Sequence, residues 1–192
     1  LRLGVQPSHQ RIAAAPSVIH RPFMLRSHRG ILGTHRWRWP DEPACAASAQ
    51  ALAERIAALP EPRSLTLELH GTLGAGKTTF ARHLLHALGV AGRIKSPTYT
   101  VLEPYAAAGG LAVSHFDFYR LADTTEAEDA GFREAFERPG LRLVEWPEKV
   151  PGLWAGSDVA LHIEPQAVAG DEEPAREVRV DALSRVGLEL IA

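Results

Sequence analysis

The chain has 192 residues, 45% of them hydrophobic, and a net charge of −2. That suits one domain with tails and supplies a real core, and no unbroken apolar run reaches membrane-spanning length, so no membrane association is expected. One cysteine, Cys45, rules out an intramolecular disulfide and fits a reducing, cytoplasmic setting. Charge is unevenly spread. Residues 1–33 hold Arg2, Arg11, Arg21, Arg26 and Arg29 and no acid; removing those five charges leaves the remainder at −7. An acidic body is a poor footprint for direct nucleic-acid binding, so a protein partner or a small substrate is expected. The chain begins with Leu1, and Met24 is its only methionine. The stretch reads as upstream sequence before a start at Met24, as a natural disordered tail, or as an Arg-rich presequence. Residues 1–33 are therefore taken as a disordered or non-native extension, and residues 34–192 as a single domain.

Residues 34–39, THRWRW, alternate as an edge strand does, and Pro40 ends them. Asp41 is placed to cap a helix reaching Leu59, with Ala44, Ala47, Ala51, Leu52, Ile56 and Leu59 on one face. Pro60 and Pro62 break the chain. Leu65, Leu67 and Leu69 alternate in a strand ending at Gly71. Phe80, Leu84, Leu85 and Leu88 recur at helical spacing, and Gly89 stands where a helix ends. Residues 98–102 are β-prone, Gly109 and Gly110 turn the chain, and residues 111–118 are expected to pair back as a hairpin. Thr125 and Glu128 form a capping box for a helix toward Phe136, which Gly131 can divide. Residues 141–144 predict a short buried strand ending in Glu145 and Trp146. Residues 158–163, 176–182 and 187–191 read as late strands, and residues 165–174 as a polar loop. This mixture predicts an α/β fold, a three-layer P-loop NTPase-like domain with a mixed central sheet.

The stretch ELHGTLGAGKTTF carries the chemistry. Gly71, four residues, Gly76, Lys77 and Thr78 are the Walker A spacing, and strand, loop and helix give it the required context. Gly71, Gly74 and Gly76 let successive amides face one anion at a helix N-terminus. Lys77 can reach the β- and γ-phosphates, and the Thr78 hydroxyl can ligate Mg²⁺. Two carboxylates end apolar strands, Asp117 in LAVSHFD and Glu145 in LRLVE, where ligands gather in open α/β sheets. Asp117 reads as functional, whereas the pattern leaves Glu145 equally open to an ordinary strand-end role. Thr98, in an SPT turn, fits a switch element at the γ-phosphate and simple turn chemistry equally well. His115 lies two residues before Asp117 on one strand face and reads as a buried, hydrogen-bonded histidine. His83 and His86 read as surface residues.

With GTLGAGKTTF, SPTYT, HFDFYRL and VEWPEK in this order, the chain closely resembles the bacterial ATPases of tRNA threonylcarbamoyladenosine biosynthesis, the TsaE type. The match spans roughly residues 36–187. The resemblance implies that Gly71, Thr72, Leu73, Gly74, Ala75, Gly76, Lys77, Thr78 and Thr79 wrap the ATP phosphates. It implies Mg²⁺ held at Thr78 and Glu145 with Asp117 nearby, a switch-like loop at Thr98, and Trp146 beside the site. Lys77, Asp117, Glu145 and Thr98 are thus the expected catalytic set. It implies an ATPase that is weak alone and works with a two-subunit threonylcarbamoyl transferase complex of the TsaD/TsaB type, touching tRNA only indirectly. Thr72 departs from the pattern, since the family usually has an acid there.

A small-molecule kinase is the main rival. Arg120, Arg133 and Arg138 are scattered and form no clear lid. A GTPase is disfavoured, because the chain contains no asparagine and so lacks an Asn-Lys-x-Asp segment. A nucleotide-binding regulatory module without productive hydrolysis is the third.

Overall fold

Seven strands form one sheet in the order β1-β7-β6-β2-β5-β4-β3. The computed structural model describes residues 30–60, 64–167 and 174–192. The expectations for residues 1–29, for Pro62 and for most of the 165–174 loop lie outside the described residues. The strands are β1 (Gly33–Trp39), β2 (Ser64–His70), β3 (Leu102–Ala106), β4 (Ala112–Asp117), β5 (Gly140–Glu145), β6 (Val159–Pro165) and β7 (Arg176–Ala182). The helices are α1 (Glu42–Ala58), α2 (Lys77–Ala87), α3 (Thr124–Asp129), α4 (Phe132–Glu137) and α5 (Arg185–Ile191). β6, β2, β5 and β4 run parallel, and β3, β7 and β1 add antiparallel pairs. The sheet is mixed and the class is α/β.

Side-chain alternation splits the sheet into two unlike faces. Leu65, Leu67, Leu69, Leu141, Leu143, Leu161 and Ile163 join the α1 and α2 residues in the larger core. Phe80 of α2 is fully buried and stacks on Trp39 at 5.4 Å. Burying a side chain of that size stabilises the fold by about 1.5–3 kcal/mol. On the opposite face Phe116, Phe118 and Val144 pack with Ala127 of α3 and with Phe132 and Phe136 of α4. Helices on both faces make three layers. Arg142 braces this second face, donating to Thr66 Oγ1, Ser64 Oγ and the carbonyls of Phe136 and Arg138.

Several local expectations need correction. Residues 187–191 are helical, not extended: Ser184 caps α5 by accepting from the Gly187 amide, and Leu190 and Ile191 are the buried pair. The Leu188–Leu190 alternation misleads, because Leu188 is exposed. Residues 98–100 form a turn, and β3 begins only at Leu102. Val101 N donates to Pro97 O at 2.6 Å with Val101 at φ 64, so tertiary ties override β propensity there. Asp41 does cap α1, yet the buried stripe is Cys45, Ala49, Leu52, Ala53 and Ile56, which leaves Ala47 and Ala51 exposed. The cap of α3 is Asp123, not Thr125: its side chain accepts from the Glu126 amide, and Glu126 Oε2 accepts in return from the amide of Ala122. Gly131, at φ 76, does divide α3 from α4. Gly89 closes α2 as expected: Gly89 N bonds His86 O and Val90 N bonds Leu85 O, the paired bonds of a Schellman turn. The hairpin forms between β3 and β4.

Candidate functional site

The loop between β2 and α2 leaves the sheet where β2 has β5 on one side and β6 on the other. Such a switch in strand order opens a crevice at the carboxyl edge. Gly71 has φ 144, and a β-carbon there would meet the Ile163 carbonyl oxygen at 2.5 Å. Only glycine lets the loop leave the strand so close to β6. Gly76, at φ 112, precedes α2 without a side-chain cap, and the first helical bond runs from Phe80 N to Gly76 O. The amides of the first turn are therefore free for an anion.

Lys77 is 4% exposed. Its Nζ donates to Gly71 O at 2.7 Å and Thr72 O at 2.9 Å and stands 3.8 Å from the Trp146 ring centroid. Burial pushes its pKa below the ordinary lysine value, against the opposing charges of Glu145, Glu148 and Asp117. Trp146 holds its ring there from a left-handed backbone, φ 59 and ψ 48. A bulky residue in that region costs on the order of 1–2 kcal/mol and is informative about a site.

Parallel pairing sets Asp117 of β4 opposite Glu145 of β5. Glu145 is 1% exposed. Its Oε2 accepts from Thr78 Oγ1 at 2.8 Å, and its Oε1 lies 2.8 Å from His115 Nε2. His115 is fully buried and its Nδ1 has no partner. The proton therefore sits on Nε2, donating to Glu145, because a buried unpaired N–H costs more than a bare lone pair. Asp117 accepts from Thr98 Oγ1 at 2.7 Å and from the Tyr119 amide at 3.0 Å. Thr98 also bonds Ser96 Oγ at 2.8 Å.

These donors suit a hard divalent cation. Thr78, Glu145 and Asp117 offer oxygen only, as Mg²⁺ prefers. Among the described residues no cluster of three or more His, Cys, Asp or Glu side chains could hold a metal ion. An ion here would complete its shell with water and phosphate oxygens, the usual habit of Mg²⁺.

A cavity of about 390 Å³ opens above the loop. Leu73, Gly74, Gly76, Lys77, Thr78 and Thr79 line it, as do Thr98, Asp117 and Glu145. Gly71 and Thr72 instead line an adjoining depression with Trp146 and Glu148. Ala75 is buried beneath the loop, its amide donating to Thr72 O at 3.1 Å. Of the loop residues from Gly71 to Thr79, Ala75 alone lines neither hollow. His115 was readable as a buried histidine, but its grip on Glu145 was not. The bond from the Tyr119 amide to Asp117 left no sequence signal, and Arg120, one of the three scattered arginines, stands exposed at the rim, stacked 4.3 Å from the Tyr99 ring.

The family described as Threonylcarbamoyl adenosine biosynthesis protein TsaE matches residues 44–177. A tRNA threonylcarbamoyladenosine biosynthesis protein TsaE from Haemophilus influenzae is 36% identical over 153 residues, 80% of this chain and 92% of that protein. A protein of the same description from Bacillus subtilis is 42% identical over 97 residues, 50% of this chain and 59% of its own length. The crystal structure of Bacillus subtilis YdiB superposes with a TM-score of 0.56 at 30% identity, covering 82% of this chain and 91% of that one. The chain belongs to the TsaE family, which is named for tRNA threonylcarbamoyladenosine biosynthesis.

Proposed function

We propose that the protein is a Mg²⁺-dependent ATPase that supports tRNA threonylcarbamoyladenosine modification by a two-subunit transferase partner of the TsaD/TsaB type. The observation that carries this reading is the convergence of Lys77, Thr78, Asp117 and Glu145 on one cavity above an uncapped helix start. Each has a separate task. The loop amides and Lys77 bind the phosphates and offset their charge. Thr78, Glu145 and Asp117 would hold Mg²⁺, which when bound draws charge from the phosphate oxygens. His115 keeps Glu145 oriented, and Thr98 links the 96–100 turn to Asp117.

Among the described residues no helix is long and apolar enough to cross a membrane. The acidic body fits contact with a protein partner better than with tRNA directly, and a cytoplasmic setting fits that partnership. The test is ATP turnover measured alone, with the partner pair, and with pair plus substrate tRNA. Slow turnover alone and clear stimulation by the pair are expected. Absence of turnover in all three mixtures, or transfer of phosphate to a small acceptor, would overturn the reading.

A further inference from the structure

Four cations bear on the question of what else holds the nucleotide. Lys77 is tied to two carbonyls and a ring, Arg120 stacks on Tyr99, and Arg142 donates to four oxygens. Arg176 is different. Its Nε is buried and has no hydrogen-bond partner, and it makes no ion pair among the described residues. A buried donor left unpaired calls for a reason. Its position supplies one.

β7 runs antiparallel to β6, so its first residue returns to the edge where the phosphate loop emerges. Arg176 pairs in register with Pro165 on one side and Trp39 on the other. The place a β-carbon would take on Gly76 lies 3.9 Å from Arg176 Nε. The guanidinium thus stands against the last loop glycine, at the N-terminus of α2. The carboxylates Asp117 and Glu145 lie on the other side, beyond Lys77, on β4 and β5.

We infer that Arg176 is a nucleotide-binding residue, contacting the phosphate held at the start of α2 from the β7 side. This rests on the ATPase reading above. A guanidinium reaching phosphate oxygens makes charge-assisted bonds that a neutral side chain cannot replace. It acts on binding, not on the metal carboxylates, so ADP is the right probe.

The experiment titrates ADP and inorganic pyrophosphate into the wild type, Arg176→Gln and Lys77→Ala proteins by calorimetry, with melting temperatures recorded without ligand. Arg176→Gln is expected to weaken both ligands about tenfold, with little change in the unliganded melting temperature. Arg176→Met keeps the apolar stem and decides by the same readout if the Gln variant fails to fold. Unchanged affinity in a folded Arg176 variant, with binding lost in Lys77→Ala, overturns this inference and leaves the ATPase reading standing. Weaker ADP with unchanged pyrophosphate overturns the phosphate contact. A wild type that binds neither ligand overturns the ATPase reading and this inference with it.

Discussion

Nε2 of His115 stands 2.8 Å from Oε1 of Glu145, and both side chains are buried. The second oxygen of the same carboxylate accepts from Thr78 at the start of α2. One side chain thus ties β4, β5 and the first turn of α2 together. A carboxylate held at both oxygens keeps its orientation without help from solvent.

Removing that carboxylate separates binding from turnover. Glu145→Ala is expected to lower Mg²⁺-dependent ATP hydrolysis at least tenfold while ATP affinity changes less. His115→Ala frees the carboxylate and is expected to weaken the Mg²⁺ response by about tenfold or more. Initial rates against Mg²⁺ concentration, beside nucleotide titrations, check both. If affinity falls and the rate at saturation does not, Glu145 has been given the wrong task.

Lys77 anchors the loop through two of its carbonyls. Lys77→Ala removes both carbonyl contacts and the cation beside Trp146. ATP binding or hydrolysis should be lost, read by titration and by phosphate release. Normal turnover in a folded Lys77→Ala protein would mean that the loop is not the nucleotide site.

Gly71 has no room for a side chain. A methyl group there would meet the Ile163 carbonyl oxygen at 2.5 Å from a backbone at φ 144. Gly71→Ala is expected to destabilise the protein by about 2–3 kcal/mol or displace the loop. Thermal melts beside ADP titrations check this. A variant with unchanged melting temperature and affinity would show that the β6 backbone yields easily.

His70 gives the fold a pH signature. Burial is the strongest single influence on it and lowers its pKa. Hydrogen bonds to Glu148 and Glu68, with the charges of both, outweigh burial and raise the pKa to about 9 from an ordinary 6.5. The charged form is favoured on folding, so the contribution is fully present below pH 6.5 and is lost as pH rises through about 9. With the side chain 24% exposed, it amounts to on the order of 2 kcal/mol. Denaturant melts of wild type and His70→Gln should differ most near neutral or mildly acid pH and converge above pH 9. A difference independent of pH would assign His70 a packing role only.

The glycine spacing from Gly71 to Gly76, with Lys77 and Thr78 in register, was legible because local backbone geometry alone demands those residues. The strand alternation of Leu65, Leu67 and Leu69 and the closure of α2 at Gly89 were legible for the same reason. The α1 stripe was misplaced by a rotation, because alanines at Ala47 and Ala51 fit either side of a helix. Residues 187–191 alternate like a strand, but the Ser184 cap and the seat for Leu190 and Ile191 make them helical. Pattern placed Asp117 and Glu145 at strand ends, yet their adjacency needs β4 and β5 to pair in parallel. Long-range register also brings Arg176 to Gly76 and His70 to Glu148, pairs that lie far apart in sequence. Local sequence thus determined the glycine-rich loop, since neighbouring residues build it. Only the tertiary structure decided what surrounds it, since strand order sets which distant side chains meet.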